Sequence, residues 1–550
     1  MDPSPQPASA CPKGGRAGAN GEGDPSLAGP FLGGQNPYRL YKIVERSREE
    51  GDVRGESART KHDLVVRGGD VLTANGTMER ADVSIRAGKV AEVGQVAANP
   101  DVPVVDATGC FVLPGLVNAH MHSGENFNPG LYENLPLDLW FVHSHQVTRP
   151  VPPSPEAIYT RTLLGAFLML RNGTTSAVDF LYEAPEITSE TLEAVVRAYS
   201  DIGMRATILL GVADKTFLES LPLDDEARAA AAAEASPPSL ERVIEVARNG
   251  IDRWHDPQGL IQIGLGPSAP QRCTEELLQA TWDLACEKDL VWHTHVLETK
   301  TQAYSAHLWH GRSFLHELSD KGFLGNRTAV VHAVWLDDDD ISLLAESGTT
   351  MIHCLLSNLR LGDGIARLPD LISAGVRVAL GTDGRGCDES LDMLELVKTT
   401  ALVHKVHGYP YSTWPSAADV LRMATEDAAP ATGSSLELGV LRPDAAGDLI
   451  VVSGTSQALN PLNDPIRQIV YGNASRDVDT VVVDGRVVVR AGSVQNIDPE
   501  VLFTSVRRYL DEVRGTSGST AEVQKLEDEV RAVYEKAEAA SLSTSGYIRK

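Results

Sequence analysis

The sequence predicts an α/β protein: a (β/α)8 (TIM) barrel with a small β-sandwich domain built from segments on both sides of the barrel. Short apolar runs alternate with amphipathic helical patterns through the middle of the chain. Several of these runs are nearly continuously apolar, as strands buried on both faces are. Blocks of short strand-like segments, broken by Gly and Asn turns, flank this middle on both sides.

Taken in order, residues 1–60 form an N-terminal extension. Its first part, to about residue 36, is rich in Pro, Gly, Ala and Ser, cannot bury enough apolar surface to fold, and is expected to be disordered. The run "NPYRLYKIVERSREEGDVRGESARTK" suits a short helix with no assignable chemistry. Residues 61–113 and 436–495 supply the composite β domain. Its strand candidates are "DLVVRGGDVLTA", "ADVSIRAGKVAEVG" and "PVVDATGCFVLPG" on one side, and "GDLIVVS", "IRQIVYG" and "DTVVVDGRVVVRAG" on the other. Residues 114–435 carry the barrel. Its strand candidates are "FVLPGLVNA", "TTSAVDF", "RATILLG", "LIQIGL", "LVWHTHV", "TAVVH", "TTMIHC" and "VRVALGTD". Helical patterns such as "EAIYTRTLLGAFLMLRNG", "ETLEAVVRAYSDIG" and "TEELLQATWDLACEKD" lie between them. Residues 496–550 form a helical tail, in which "AEVQKLEDEVRAVYEKAEAA" reads as a charged surface helix.

Bulk properties narrow the function. A chain of 550 residues suits one large domain plus accessories, and 42% hydrophobic with 23% charged residues is ordinary for a globular protein. A net charge of −26 argues against nucleic acid or an anionic membrane as partner, because both repel an acidic surface. No apolar run approaches the roughly 20 residues a bilayer requires, and the first residues contain no apolar core of a secretory signal. The six cysteines are scattered without a CxxC, which fits reduced thiols in a cytoplasmic protein.

In such a barrel, active-site groups come from the carboxyl ends of the strands. The first strand ends in His120 and His122, the fifth in His295 and Glu298, the sixth in His332 and the eighth in Asp383. Residues two apart on a strand share a face, so His120 and His122 can both reach one ion. Imidazoles plus a carboxylate suit zinc or iron(II) with room for a water. An isolated HxH is weak on its own, as "FVHSH" with His143 and His145 shows; that pair falls in a helical or looped insertion where such residues do not share a face. Together, these residues at one end of one barrel are improbable as structure alone. Other signals carry less. "GLGPSA" (264–269) formally matches a dinucleotide loop, but its prolines stiffen it and the next helix starts near Thr274, too late to hold a pyrophosphate. "LDDDDIS" reads as solvated carboxylates at a helix start. Asp388 and Glu389 are placed at the pocket mouth, where they would favour a cationic substrate group.

The motifs "VLPGLVNAHMH", "HTHVLET", "VVHAVWL", "HCLLSNLRLGDG" and "VALGTDG" resemble the amidohydrolase superfamily. The resemblance is strongest to its metal-dependent aminohydrolase branch, which contains cytosine and S-adenosylhomocysteine deaminases and the triazine hydrolases. It spans about residues 62–495 and includes the flanking β domain. It implies that His120, His122, His295 and Asp383 bind one divalent metal ion, zinc first, with iron(II) or manganese as alternatives. It also implies that His332 sits beside the bound water, with ligation a second role for it, and that Glu298 carries protons. Since Glu298 and His295 would face opposite ways on a straight strand, Glu298 must lie where the strand has turned into its loop. His293 belongs one layer deeper, and "LIQIGLG" offers no bridging ligand for a second metal.

The implied catalytic groups are Glu298, His332 and Asp383. The metal lowers the pKa of its water from 15.7 to about 7. Asp383 takes a proton as the water attacks, Glu298 protonates a ring nitrogen, and His332 stabilises developing charge. The expected reaction is hydrolytic deamination of an amino-substituted heterocycle, a small-molecule substrate. Alternatives at the same site are dechlorination, dealkylamination or cyclic-amide opening; a catalytically inactive binding scaffold is the third. The resemblance further implies a homo-oligomer. Three departures touch substrate contacts and count against adenosine-like substrates: Ser268 where "PHAP" has histidine, Leu355 where "HCP" has proline, and no Arg-Gly before "LPLDLW".

Overall fold

Glycine-bearing turns divide the first described stretch into short strands: β1 (Leu64–Leu72), β2 (Met78–Arg86), β3 (Lys89–Gly94), β4 (Val104–Asp106) and β5 (Phe111–Pro114). Ala87 and Gly88, at φ 53° and 76°, make the left-handed pair that a tight β2–β3 hairpin requires. This computed structural model describes residues 62–144, 153–183, 186–223, 237–406, 408–514 and 520–542. The disorder and short helix expected before residue 62, and His145, lie outside the described residues.

Next come β6 (Leu116–Met121), β7 (Thr174–Leu181), β8 (Arg205–Val212), β9 (Ile261–Pro267), β10 (Trp292–Val296), β11 (Thr328–His332), β12 (Thr350–His353) and β13 (Val378–Leu380). They pair side by side in chain order as one eight-stranded parallel sheet. Every residue of β6, β7 and β9 is buried, so these strands show no alternation of apolar and polar residues between a buried and an exposed face. The ring closes just beyond β13. There the Asp383 amide donates to the His120 carbonyl at 2.9 Å, and Asn118 Oδ1 accepts from the Thr382 amide at 3.0 Å. A Cβ on Gly381 would lie 2.8 Å from the His120 Cβ, so only glycine fits this seam.

The chain then returns through β14 (Leu449–Val452), β15 (Val478–Val483), β16 (Arg486–Arg490) and β17 (Ser493–Val494). β14 pairs antiparallel with β5, so both ends of the chain build one nine-stranded mixed sheet. Val66, Ile85 and Val112 share its core with Leu449, Val451 and Val482. Phe111–Pro114 belongs to this sheet, and only the residues from Leu116 enter the barrel. One reading fails here: "IRQIVYG" is the helix Pro465–Gly472. Asp464 caps it by accepting from the Arg467 amide at 3.0 Å, and Pro465 occupies the first turn, where its missing N–H costs nothing.

At the amino ends of the barrel strands, Arg205 ties the barrel to the mixed sheet. Its Nε donates to Asp448 Oδ2 at 2.7 Å, Nη2 to Asp484 Oδ1 at 3.0 Å, and Nη1 to the Gly259 carbonyl at 2.8 Å. The helices begin at side-chain caps that the sequence advertises: Ser154, Thr188, Thr274 and, in the acidic run, Asp337 with Asp340 in a capping box. The tail contains helices Pro499–Arg514 and Thr520–Ala539. The latter is less exposed than its charge suggests. Val530, Val533 and Ala537 lie on one stripe and are buried; Val530 and Val533 pack with Leu139 and Val142 of the helix Leu137–Ser144. Among the described residues, no helix is long and apolar enough to cross a membrane.

Candidate functional site

Local backbone explains how distant side chains converge. His120 and His122 leave β6 on one face, with Nε2 atoms 3.2 Å apart. β10 ends at Val296, and Leu297 turns the chain at φ 51°, which swings Glu298 back towards the face of His295. His332, at φ 69°, and Asp383, at φ 67°, also sit in the left-handed region as their chain segments leave the barrel. Left-handed backbone at non-glycine residues is costly, and here it recurs where the site's side chains are aimed.

The distances define one cluster. Asp383 Oδ1 is 3.5 Å from His120 Nε2 and 3.2 Å from His122 Nε2. His332 Nε2 is 3.3 Å from Glu298 Oε1 and 3.9 Å from Asp383 Oδ2. One ligand atom each from His120, His295 and His332 lies within 4.8 Å of the others, as do those of His120, His122 and Asp383. All six sequence-predicted site residues are therefore together. His293 is a layer deeper, its Nε2 2.9 Å from the Ala431 carbonyl. His143 lies apart and pairs with Glu527 at 3.4 Å.

The outer contacts orient these rings. His122 Nδ1 is 2.8 Å from the Phe180 carbonyl, His295 Nδ1 2.7 Å from the Ser268 carbonyl and His332 Nδ1 2.9 Å from Asn358 Oδ1. With Nδ1–H donated outward, the neutral form of each ring directs its Nε2 lone pair inward, where a cation would take it, at His122 in place of the hydrogen bond to Asp383. Asp383 is fixed by Ser357 Oγ at 2.6 Å and the Gly384 amide at 2.9 Å. Inward lone pairs and a carboxylate, buried together, are a donor set that a divalent cation satisfies. Any of the histidines, with Asp383, could hold such an ion.

Electrostatics separate the acids. Burial pushes Asp383 up, but hydrogen bonds from His120 and His122 outweigh it and hold the carboxyl well below its usual range. Burial also lowers His122, yet the Asp383 hydrogen bond and charge lift it to about 9, while burial takes His120 down to about 4. Desolvation raises Glu298 to about 7. Thus one carboxylate is kept ionised beside one that holds its proton near neutrality.

Some residues escaped the sequence. Glu125, three residues after His122, is a buried carboxyl lining the same pocket and is raised to about 7, first by desolvation. Asn358 and Ser357 stand inside "HCLLSN", but their partners are visible only in three dimensions. Asp388 and Glu389 are not at the mouth. Asp388 accepts from the Leu391 amide at 3.1 Å, Glu389 pairs with Arg360 at 2.6 Å, and neither lines the pocket. The helix that begins at Glu275 starts too late for "GLGPSA" to hold a phosphate, as expected.

Comparison with known proteins agrees with this geometry. Residues 111–488 match the Amidohydrolase family. The chain is 32% identical over 453 residues to the 5'-deoxyadenosine deaminase of Methanothermobacter thermautotrophicus, covering 82% of this chain and 99% of that protein. It is 33% identical to the 5-methylthioadenosine/S-adenosylhomocysteine deaminase of Thermococcus kodakarensis, covering 77% and 93%. An adenosine deaminase of Xanthomonas campestris with bound zinc superimposes with a TM-score of 0.72 at 26% identity, covering 82% of this chain and 99% of that one. A zinc complex of atrazine chlorohydrolase from Arthrobacter aurescens shares the fold, with a TM-score of 0.73 at 24% identity, covering 81% and 100%. The chain belongs to the amidohydrolase family and is a metal-dependent hydrolase of carbon–nitrogen bonds outside peptides.

Proposed function

We propose that this enzyme releases ammonia from an amino-substituted heterocycle, with His120, His122, His295 and Asp383 as ligands of one divalent ion, zinc first. The observation that carries the reading is the placement of Glu298, His332 and Asp383, whose ligand atoms lie within 4.8 Å of one another at the edge of the histidine cluster. When bound, the ion lowers the pKa of a water from 15.7 to about 7. Asp383, kept ionised by its histidine neighbours, is placed to accept the proton that an attacking water must give up. Glu298 is protonated below about 7, and donates to the adjacent ring nitrogen. His332, 3.3 Å from Glu298, stabilises the charge that develops between them. The carbon–nitrogen bond then breaks as the proton held by Asp383 passes to the amine, which leaves as ammonia; the ring keeps the water's oxygen, whose remaining proton returns to Glu298.

Aminopurine nucleosides head the substrate list because the relatives named above are deaminases of adenosine derivatives. That weighs against the expectation drawn from Ser268 and Leu355. Free thiols at Cys110, Cys273, Cys286, Cys354 and Cys387 support a reducing, cytoplasmic setting, and the resemblance supports a homo-oligomer. Zinc-loaded protein assayed for ammonia against aminopurine nucleosides, aminopyrimidines, pterins and triazines tests the reaction. Glu298→Gln is expected to slow turnover by about 10²–10⁴-fold with the metal retained. Undiminished turnover in that variant, or chloride as the only leaving group, overturns the reading.

A further inference from the structure

The wall of the same pocket contains a cation that the hydrolysis does not use. Arg272 ends the short turn after β9 and is only 9% exposed. Its guanidinium carbon lies 4.9 Å from the Phe141 ring centre and 5.7 Å from that of Tyr182. Its single side-chain hydrogen bond among the described residues runs from Nη2 to the Tyr182 hydroxyl at 3.4 Å. Among the described residues Nε is buried without a hydrogen-bond partner, and the side chain lines the pocket.

A buried guanidinium normally sits against a carboxylate, because an unpaired buried charge costs several kcal/mol. The pocket's own acids do not fill that role. Asp138 accepts from Thr301 Oγ1 at 2.6 Å, Glu125 from the Gly386 amide at 3.2 Å, and Glu298 and Asp383 face the histidines. Aromatic rings pack against Arg272 and Nε is enclosed, so the outer edge of the guanidinium, formed by Nη1 and Nη2, is the part a ligand in the pocket can meet. That is the geometry of a fork awaiting an oxyanion.

We infer that Arg272 forms an anion subsite that reads a carboxylate carried on a substituent of the heterocycle. This deepens the deaminase reading above and rests on it. A monoanion fits better than a dianion. One guanidinium shares the pocket with the carboxyls of Glu125, Asp138, Glu298 and Asp383, and a phosphate dianion would face their repulsion with a single cation to offset it.

The test uses zinc-loaded protein and matched pairs: adenosine with adenosine 5'-carboxylate, and pterin with pterin-6-carboxylate, with adenosine 5'-monophosphate as the dianionic arm. In the wild type, kcat/KM for at least one acid should exceed that of its neutral partner by about tenfold or more, the scale of one charge-assisted hydrogen bond. In Arg272→Gln this acid-to-neutral ratio should fall at least tenfold, and Arg272→Lys should restore part of it. Calorimetric binding of the same pairs to wild-type protein reads the subsite separately from turnover. Acid-selective binding without ammonia release leaves the subsite standing and sinks the deaminase reading. Equal binding of acid and neutral partners, failure of every acid to bind, tighter binding of the monophosphate than of the carboxylate, or an unchanged ratio in Arg272→Gln overturns the proposal.

Discussion

The two ends of the barrel each bury a charged cluster, and the clusters are built on opposite principles. At the amino ends of the strands, every nitrogen of the Arg205 guanidinium is bonded: Asp448 accepts from Nε and Nη2, at 2.7 and 3.2 Å, Asp484 also accepts from Nη2, and the Gly259 carbonyl accepts from Nη1. At the carboxyl ends, the imidazoles of His120, His122, His295 and His332 direct nitrogens at one another and at Asp383, with Nε2 atoms of the first pair 3.2 Å apart. Such a set is satisfied only by something held between its members. The difference separates a polar cluster that serves stability from one that serves chemistry: the first completes its own hydrogen bonds, the second leaves matched lone pairs facing one point.

The comparison is sharpest under removal of the cation. Stripping divalent metal with a chelator, or replacing His295 by alanine, should lower turnover by about 10⁴-fold or more, since the ion supplies both the nucleophile and several kcal/mol of charge stabilisation. Elemental analysis should show matching loss of metal from His295→Ala, and added zinc should revive the chelated wild type. A chelated enzyme that keeps its rate would break the distinction between the two ends.

The opposite outcome is expected of Arg205→Met. Removing the guanidinium leaves Asp448 buried without its partner, a defect worth about 3–5 kcal/mol of stability. Urea unfolding should register that loss, while turnover per bound zinc changes far less than in His295→Ala. If turnover per zinc collapsed as completely, the lower cluster would be coupled to chemistry and the contrast would fail.

How much of this was legible depended on whether the signal was local. The barrel strands announced themselves because strands such as β7 and β9 are buried along their whole length, and the site because His120 and His122 share a strand face. Once the resemblance gave Glu298 its role beside His295, strand parity put it beyond the strand end, and Leu297 supplies that turn. "IRQIVYG" was misread because a short apolar run suits strand and helix alike; the Asp464-Pro465 cap before it was the discriminating signal. The tail helix hid its buried stripe of Val530, Val533 and Ala537 among charges. Nothing local marks Arg205, whose acidic partners lie 243 and 279 residues away, or Arg272, whose side chain among the described residues bonds only the Tyr182 hydroxyl.

The finest test of the open cluster concerns Asn358, which touches no reacting atom in the proposed scheme. It is a positioning residue: its Oδ1 lies 2.9 Å from His332 Nδ1, fixing the ring that meets Glu298 at 3.3 Å. Asn358→Ala removes the acceptor, frees the ring to rotate and leaves its Nδ1–H unpaired in a buried setting. Loss of such an orienting partner costs about 10–100-fold, so kcat/KM should fall by that much. Asn358→Asp keeps an acceptor at the same place and should recover most of the rate, with its pH profile displaced because the added charge favours a protonated His332. Equal losses in both variants would mean that Asn358 merely fills space, and that His332 is held by packing as Arg205 is held by its acids.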